Sequence, residues 1–289
     1  MKRTILVIGA TGMLGQPVAR QLRMDGYTVR VLVRNLLNAK VKLGNSFEYI
    51  QGDVENSYAI EKALDGCYGV HINLRGGPTA EDFDRIENKG TANVVRIAAK
   101  MGVQQITYLS GAAVFEENSW FPSIKAKLGA EAAIRNSGVP YSIFCATHFM
   151  ESLPLYIKGK RASVIGKQPH RLHWLAADDY AKMISKVFQL PEAANKRFFV
   201  YGPEALTISE ALEKYCSIVH PDVKVSSVPI WLMSLIGRAS FNAELQFIAE
   251  LMRFFDKVGE GGNPAVTNKL LGTPTTTLNH WCEKQRDIA

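Results

Sequence analysis

Residues 4–15 read TILVIGATGMLG, and this stretch is the strongest indication of the fold. An apolar run typical of a buried strand leads into glycines at positions 9, 12 and 15, and an amphipathic helix follows. In such a unit the first glycine permits a tight turn, the second lets a pyrophosphate approach the backbone, and the third lets the helix pack closely. The helix amino terminus adds N–H donors and a favourable dipole. A purely structural turn is the alternative to the predicted dinucleotide-binding loop, which consists of Gly9, Thr11, Gly12, Met13, Leu14 and Gly15.

The same alternation of strand and helix continues through the first half of the chain. A helical stripe of apolar residues lies within residues 82–101 and stops at Gly102, a common residue after a helix. This rhythm predicts an α/β fold with a doubly wound parallel sheet of the Rossmann type. The strand-like runs that follow the first are TVRVLVR (28–34), FEYIQGD (47–53), YGVHINL (68–74), QQITYLSG (104–111) and YSIFCA (141–146).

The pattern divides the chain into two predicted parts. Residues 1–150 are predicted to form the NAD(P)-binding Rossmann domain, and its sheet is completed within about 170–202 by the run RFFVYG. Residues 203–289 are predicted to form a smaller, mainly helical substrate or partner lobe with one strand, VKVSSV, and a threonine-capped last helix. The irregular segment 147–167 contributes to this lobe. No flexible linker separates the two parts, so they are expected to pack together.

Composition narrows the class of protein. The chain has 289 residues, of which 47% are hydrophobic and 21% are charged, as expected for a globular protein. Its net charge of +7 is dispersed, so no nucleic-acid partner is expected, and no apolar run is long enough for a membrane span. The cysteines lie far apart without zinc-like spacing, which predicts no metal site and reduced thiols in a cytoplasmic protein. They are Cys67, Cys145, Cys216 and Cys282.

The residue that ends the second predicted strand indicates the cofactor. A cofactor without a 2′-phosphate usually meets an Asp or Glu about 20 residues past the glycine loop. This chain has Arg34 there, and a guanidinium binds a 2′-phosphate bidentately. NADP(H) is therefore predicted ahead of NAD(H), with a solvated loop arginine as the alternative. Asp53, after the third strand, is predicted at the adenine edge, although an aspartate before a helix also serves as a cap.

Several of these motifs together resemble one family. GATGMLG, VLVRN (31–35), QGD (51–53), NKGTANVV (88–95), LSG (109–111) and SGVPYSIF (137–144) carry the resemblance. The chain resembles the NmrA-like group of atypical short-chain dehydrogenase/reductases, specifically over the first 150 residues and in general layout to about residue 202. The resemblance implies an extended Rossmann fold and a nicotinamide cofactor. It also matches Asn88 to an asparagine that shapes the site through the backbone of strand four, the alternative being an exposed helix residue.

Family members with chemistry usually carry a Tyr-x-x-x-Lys pair, in which the tyrosine exchanges a proton with the substrate and the lysine holds the ribose. Here the corresponding stretch is Ser123-Ile-Lys-Ala-Lys127. Lys127 fits the lysine role because it stands four residues before Glu131, and Lys125 is the competing choice. No tyrosine stands four residues before either lysine. Ser123 could orient substrate or water, but its hydroxyl is a much weaker acid than a phenol; a surface pair of Lys127 with Glu131 is the alternative.

Other candidate residues follow predicted strands or precede the lysine helix. Ser110 matches the family serine beside the nicotinamide, and the alternative is a serine in a turn. His148 follows strand six and is a candidate acid near neutral pH, although a lone histidine more often satisfies a local hydrogen bond. Trp120 and Phe121 could cover a flat ring such as a quinone or flavonoid, or could simply pack on the C-terminal lobe. The candidate catalytic residues are therefore Lys127, Ser110 and His148, and the candidate substrate residues are Trp120, Phe121 and Ser123.

Two functions agree with these features. The first is an NADPH-dependent reductase of a small carbonyl or quinone-like substrate. The second is a non-catalytic NADP(H)-sensing regulator or assembly factor that binds another protein, which the missing tyrosine favours. Its docking face would lie on the apolar segments 228–239 and 241–258, unless these cover the core of their own lobe. A monomer or a homodimer is expected.

Overall fold

Twelve strands and twelve helices make up the computed structural model, which describes residues 2–287. The strands are β1 Thr4–Ile8, β2 Thr28–Val33, β3 Glu48–Gln51, β4 Gly69–Ile72, β5 Gln105–Gly111, β6 Tyr141–Ala146, β7 Ile157–Lys158, β8 Arg161–Ile165, β9 Leu172–Trp174, β10 Lys196–Val200, β11 Glu204–Leu206 and β12 Lys224–Val228. Seven of them form one parallel sheet in the order β10-β6-β5-β4-β1-β2-β3.

The helices cover both faces of this sheet. They are α1 Gly15–Met24, α2 Leu36–Leu43, α3 Ser57–Leu64, α4 Ala80–Asp82, α5 Thr91–Lys100, α6 Pro122–Arg135, α7 Ala177–Val187, α8 Ile208–Val219, α9 Ile230–Ala239, α10 Ala243–Lys257, α11 Ala265–Leu271 and α12 Leu278–Arg286. One core cluster joins α1, α2 and α7 to the sheet, and a second joins α3, α5 and α6 to the opposite face. The predicted doubly wound Rossmann fold is therefore confirmed.

The predicted helix over residues 82–101 contains an irregularity that the apolar stripe does not indicate. α4 and α5 form one continuous helix whose middle, Phe83–Gly90, is π-helical. A π-helical turn inserts an extra residue and so changes which side chains face the neighbouring helix. The consequence appears in the cleft described below, where Glu87 turns inward.

A third core cluster holds the smaller elements that follow β6. In it β12 pairs with β8 and β8 with β7, and separately β11 pairs with β9. The strand predicted at VKVSSV is β12, and Thr277 caps α12 by accepting the His280 N–H. The segment 147–167, predicted to be irregular, instead contains β7 and β8. These strands are only two and five residues long, and β8 is paired by β12 from some sixty residues further along the chain, so local sequence carries little signal for them.

An aromatic contact brings α10 over the carboxyl edge of the main sheet. Phe121, just before α6, stacks on Phe254 of α10 with ring centroids 4.7 Å apart, and Phe247 of α10 also packs on Phe121. Pairs of this geometry stabilise by about 1 kcal/mol beyond the area that they bury. The contact makes α10 one wall of the space above the strand ends.

The structure also bears on membrane insertion and on the state of the cysteine thiols. No helix within residues 2–287 combines the length and the apolar character needed to span a bilayer. The four cysteines have free thiols, and three of them are buried as packing residues.

Glu151 gives the fold a specific pH dependence. Its carboxylate accepts the Ala177 N–H at the start of α7 and the Trp281 indole N–H at 3.0 Å. Burial raises the pKa of Glu151 from 4.5 to about 7. Since the folded-state pKa is raised, the ionised carboxylate destabilises the fold above about pH 7, and this penalty disappears as the pH falls toward 4.5.

Glu151→Gln is therefore expected to raise the free energy of unfolding at pH 8, by about 2 kcal/mol, and to have little effect at pH 4.5. The measurement is urea unfolding of both proteins at the two pH values, followed by tryptophan fluorescence. An equal change at both pH values, or a loss of stability at pH 8, would contradict the raised pKa.

Candidate functional site

The glycine loop adopts the geometry that close approach of a phosphate needs. Gly9 has φ +83°, and a Cβ added to it would overlap the Asn73 carbonyl oxygen beyond β4. A Cβ on Gly15 would likewise overlap the Gly9 carbonyl. Gly12 and Met13 are exposed, and the Gly12 N–H donates to Gly9 O at 3.0 Å. The loop thus turns tightly from β1 into α1 and leaves its outer edge open at the helix amino terminus.

Two cations lie beside this loop. Arg34 is exposed at the end of β2, and its guanidinium has no hydrogen-bond or ion-pair partner within residues 2–287. Lys42 of α2, which the sequence reasoning missed, reaches the Thr11 carbonyl oxygen at 3.4 Å. Asp53 accepts the Glu55 N–H at 3.0 Å and so stabilises the turn before α3. Its role at the adenine edge stays a prediction.

A cleft of about 610 Å³ continues from the loop across the carboxyl ends of β4, β5 and β6. Met13 and Leu14 form its loop end, and residues of α10 form its far wall. The lining of the cleft as a whole is rich in aromatic rings and has few polar groups, which is typical of a site for a flat, largely apolar ligand. The aromatic side chains that line it include Phe83, Phe121, Phe149, Phe247, Phe254 and Phe255.

Lys127 lies in this cleft and is paired with a carboxylate that the sequence reasoning missed. Its ammonium Nζ is 3.1 Å from Glu87 Oε2 and donates to the Leu109 carbonyl oxygen at 3.3 Å. Glu87 is buried in the π-helical segment, and its Oε1 accepts the Gly76 N–H. Burial by itself lowers the pKa of Lys127, but Glu87, Tyr108 and Glu131 together outweigh this, Glu87 most strongly, so the pKa is raised above its usual value. Lys127 is therefore a permanent cation near neutral pH.

The competing residues on the lysine helix lie elsewhere. Lys125 is exposed outside the cleft, whereas Ser123 is half-buried in the cleft lining. Glu131 does not pair with Lys127, because it faces two arginines on its other side. The Asn88 side-chain amide donates to Asp84 at 2.8 Å. The backbone after β4 is bound instead by the neighbouring residue Glu87, whose carboxylate accepts the Gly76 N–H.

Ser110 is the next-to-last residue of β5 and lines the cleft, and its hydroxyl is bound to a carboxylate. The hydroxyl donates to Glu131 Oε1 at 2.6 Å, and Glu131 also pairs with Arg135 and Arg197. Because its O–H donates to Glu131, the Ser110 hydroxyl has only its lone pairs available to a ligand. Its predicted hydrogen bond to a substrate carbonyl would require Glu131 to take another donor.

His148 lines the cleft after β6. Its ring lies 4.6 Å from the Phe255 ring and 5.7 Å from the Trp174 ring, and its Nε2 is buried with no hydrogen-bond partner among the described residues. Burial lowers the pKa of His148 to about 4, so the ring is neutral at pH 7. An unsatisfied ring nitrogen in a ligand-sized cleft suits a hydrogen bond to a bound molecule.

The two aromatic candidates before α6 separate in the structure. Phe121 is buried and forms part of the cleft wall. Trp120 is 55% exposed and packs on Phe254 of α10, outside the cleft lining. Trp120 thus packs on the C-terminal part of the chain, which is the alternative to covering the flat ring of a bound ligand.

The pair formed by His173 and Glu260, of which Glu260 lines the cleft, is not predicted from the sequence. Glu260, in the loop between α10 and α11, accepts both the backbone N–H and the Nδ1–H of His173 at 2.7 Å. The two residues are 87 positions apart, and neither belongs to a recognisable motif. The only sequence signal for Glu260 as a site residue is its position within the glycine-rich run Gly259, Gly261 and Gly262.

The fold is that of a Rossmann protein with a glycine loop after β1 and a lysine of α6 in the adjoining cleft. The NmrA-like family model matches residues 1–281, so this chain belongs to the NmrA-like family. The predicted family resemblance is confirmed.

Known proteins similar to this chain fall into two groups. The photosystem II assembly factor Ycf39 of Trieres chinensis is 26% identical over 248 residues, which cover 81% of this chain and 75% of that protein. Triphenylmethane reductase of Citrobacter sp., crystallised with NADP(H), matches with a TM-score of 0.76 at 21% identity, over 98% and 99% of the two chains. An NADPH-dependent quinone oxidoreductase from Escherichia coli, complexed with NADPH, matches with a TM-score of 0.72 at 19% identity, over 97% and 99%. At these identities the likeness to the two solved structures shows a shared fold.

Proposed function

We propose that this protein is an NADPH-dependent reductase of a small quinone-like or aromatic carbonyl compound. The observation that carries the proposal is the cleft itself, which joins an exposed glycine loop to an aromatic-walled space containing Lys127 and His148. Two structurally similar proteins are named as triphenylmethane reductase and NADPH-dependent quinone oxidoreductase.

The residues present fit NADP(H). The Gly9 and Gly15 positions have no space for a Cβ, the open loop edge suits a pyrophosphate, and Arg34 is free to bind a 2′-phosphate. When bound, the cofactor supplies a hydride. Lys127, held as a cation by Glu87, would bind a ribose hydroxyl oxygen rather than donate a proton. The neutral His148 ring would donate or accept a hydrogen bond at the substrate.

The direct test is stopped-flow measurement of the loss of NADPH absorbance with a panel of quinones, aldehydes and aromatic ketones. Calorimetry of NADPH and NADP⁺ binding accompanies it. Turnover of any panel member supports the reductase, and tight cofactor binding without turnover rejects it in favour of the second candidate below.

Arg34→Ala tests the cofactor preference separately. Loss of a bidentate, charge-assisted contact costs about 1.5–3 kcal/mol, so the NADPH Kd is expected to rise by roughly 10- to 100-fold while the NADH Kd changes little. Calorimetry with both cofactors measures this, and NADH serves as the internal control. Equal losses for the two cofactors would refute a role in binding the 2′-phosphate.

The second candidate is an NADP(H)-sensing protein that binds another protein, and one surface favours it. Trp231, Leu235 and Ile236 of α9 and the following Phe241 are exposed, by 45% to 93%. A contiguous exposed apolar face is a common docking surface, and the similar Trieres chinensis protein is named as an assembly factor. Hydrogen exchange tests this candidate: it expects NADPH binding to change the protection of α9, whereas unchanged exchange there argues against cofactor sensing through this face.

We also place the protein in the cytoplasm as a monomer or homodimer. The four free thiols support a reducing compartment. The location stands as a proposal together with the function.

A further inference from the structure

The loop between α10 and α11 brings a buried carboxyl group to the cleft. The Glu260 side chain is 9% exposed and lines the cleft, and its two oxygens accept the backbone N–H and the Nδ1–H of His173. The His173 side chain is 36% exposed, so its ring reaches solvent on the other side. The pair therefore connects the interior of the cleft with bulk water.

Backbone contacts hold this loop against the strand ends. The Gly261 N–H donates to the Ala112 carbonyl oxygen at 3.0 Å, two residues beyond Ser110, and the Tyr201 hydroxyl donates to Gly261 O at 3.0 Å. The His173 ring lies 4.6 Å from the Tyr201 ring. His173 and Tyr201 are the titratable groups that face the Glu260 carboxyl. These contacts place the loop that carries Glu260 beside the end of β5. Glu260 and Ser110, the serine that the family resemblance assigns to the nicotinamide, both line the cleft.

The environment raises the affinity of the Glu260 carboxyl group for a proton. Burial is the largest effect on Glu260 and raises its pKa, and this outweighs the hydrogen bonds from His173 that lower it. A carboxyl group with a raised pKa is the kind of group that serves as a general acid near neutral pH.

We propose that Glu260 is the proton donor of this site, in place of the missing tyrosine, and that His173 returns the proton to it from solvent. The proposal rests on the proposed reductase function. Reduction of a quinone to a hydroquinone adds, in total, one hydride and one proton. When the hydride adds to a ring carbon and Glu260 protonates one oxygen, the new ring C–H then loses its proton to solvent and the second oxygen gains one. The hydride comes from NADPH, which becomes NADP⁺. The Glu260 O–H bond breaks as the substrate O–H bond forms, and the imidazole of His173 then passes a proton from water to the carboxylate.

Glu260→Gln is the decisive variant because it removes the acidic proton and keeps an oxygen to accept the His173 N–H. We expect the kcat for a quinone to fall by about 100-fold, the typical contribution of a general acid. The wild-type kcat is expected to fall as the pH rises and the pair loses its proton, whereas this dependence should be absent in the variant. His173→Asn, which keeps a donor toward Glu260 but cannot relay a proton, is expected to lower kcat by about tenfold.

The readout besides activity is infrared spectroscopy over a pH titration without substrate, which follows the Glu260 carboxyl group directly. The wild type is expected to show the C=O band of a protonated carboxyl group that Glu260→Gln lacks; spectra that do not differ in this band would contradict the proposal. The matched control is Glu151→Gln, another largely buried glutamate with a raised pKa that lies outside the cleft lining, and it should leave the kcat profile unchanged. Calorimetry of NADPH binding shows whether each variant keeps its fold and cofactor site.

The outcomes separate the two proposals. If the wild type turns over quinones and Glu260→Gln retains both kcat and its pH profile, the proton relay is wrong and the reductase stands. If the wild type shows no turnover with the panel while NADPH binds, the reductase and the relay are both overturned. Should Glu260→Gln fail to bind NADPH, His173→Asn decides: an unchanged kcat and pH profile in that variant overturns the relay.

Discussion

Gly9→Ala is expected to abolish NADPH binding and to lower the free energy of unfolding by about 3 kcal/mol or more. An alanine there meets two obstacles, because φ is +83° and the added Cβ overlaps the Asn73 carbonyl oxygen. That oxygen belongs to the backbone beyond β4, so it cannot rotate away as a side chain would. Relief requires the loop to move away from β4, which displaces the N–H groups at the start of α1. Calorimetry with NADPH and urea unfolding measure both effects.

Gly138→Ala is the control that separates the clash from the backbone conformation. Gly138 has φ +73°, and its added Cβ would meet no described atom within 4 Å. Alanine at this position is expected to cost only about 1 kcal/mol and to leave NADPH binding intact. Similar losses at the two positions would mean that the close packing of the loop on β4 is unimportant.

Lys127→Met should produce the second large effect. The substitution leaves the Glu87 carboxylate buried without its cation, and breaking such a pair costs about 3–5 kcal/mol. The 19% exposure of the Lys127 side chain places the expected loss at the lower end, about 3 kcal/mol. Cofactor affinity should fall as well, even if no turnover is detected, because a ribose ligand is lost. Urea unfolding and calorimetry are the measurements.

The double variant Glu87→Gln with Lys127→Met distinguishes the two consequences. Removing the second charge should restore most of the stability, since no unpaired carboxylate remains, while NADPH affinity stays low. Lys125→Met is the matched control, because Lys125 lies on the same helix two residues earlier but is exposed. A loss of affinity with Lys125→Met equal to that of Lys127→Met would remove the reason for assigning the ribose role to Lys127.

The residues that could be predicted from sequence are those whose role depends on local geometry. Gly9 and Gly15 were predicted because a strand, a tight turn and a helix follow one another within twelve residues. The strand runs were predicted for the same reason, since each must be apolar enough to lie buried between two layers of helices. The family motifs then led to Lys127, which lies in the cleft, while Lys125 does not.

The parts of the site that sequence reasoning missed depend on contacts between distant segments. Glu87 lies in the π-helical segment Phe83–Gly90, and apolar periodicity does not indicate the change of side-chain direction that such a segment brings. Lys42 approaches the Thr11 carbonyl through the packing of α2 beside the loop. Ser110 is predicted from the sequence as a hydrogen-bond donor to substrate, but its hydroxyl donates to Glu131, 21 residues later in the chain.

The Rossmann sheet, the glycine loop, the arginine at the end of β2 and the absence of the family tyrosine can all be read from the sequence alone. These are properties of short segments, because strand burial, tight turns and helix starts are set by neighbouring residues. Which polar groups meet follows from the packing of distant segments: Glu87 with Lys127, Glu131 with Ser110, and Glu260 with His173. The physical reason is that burial and pairing set the protonation of a side chain, and both depend on segments that are far apart in the chain.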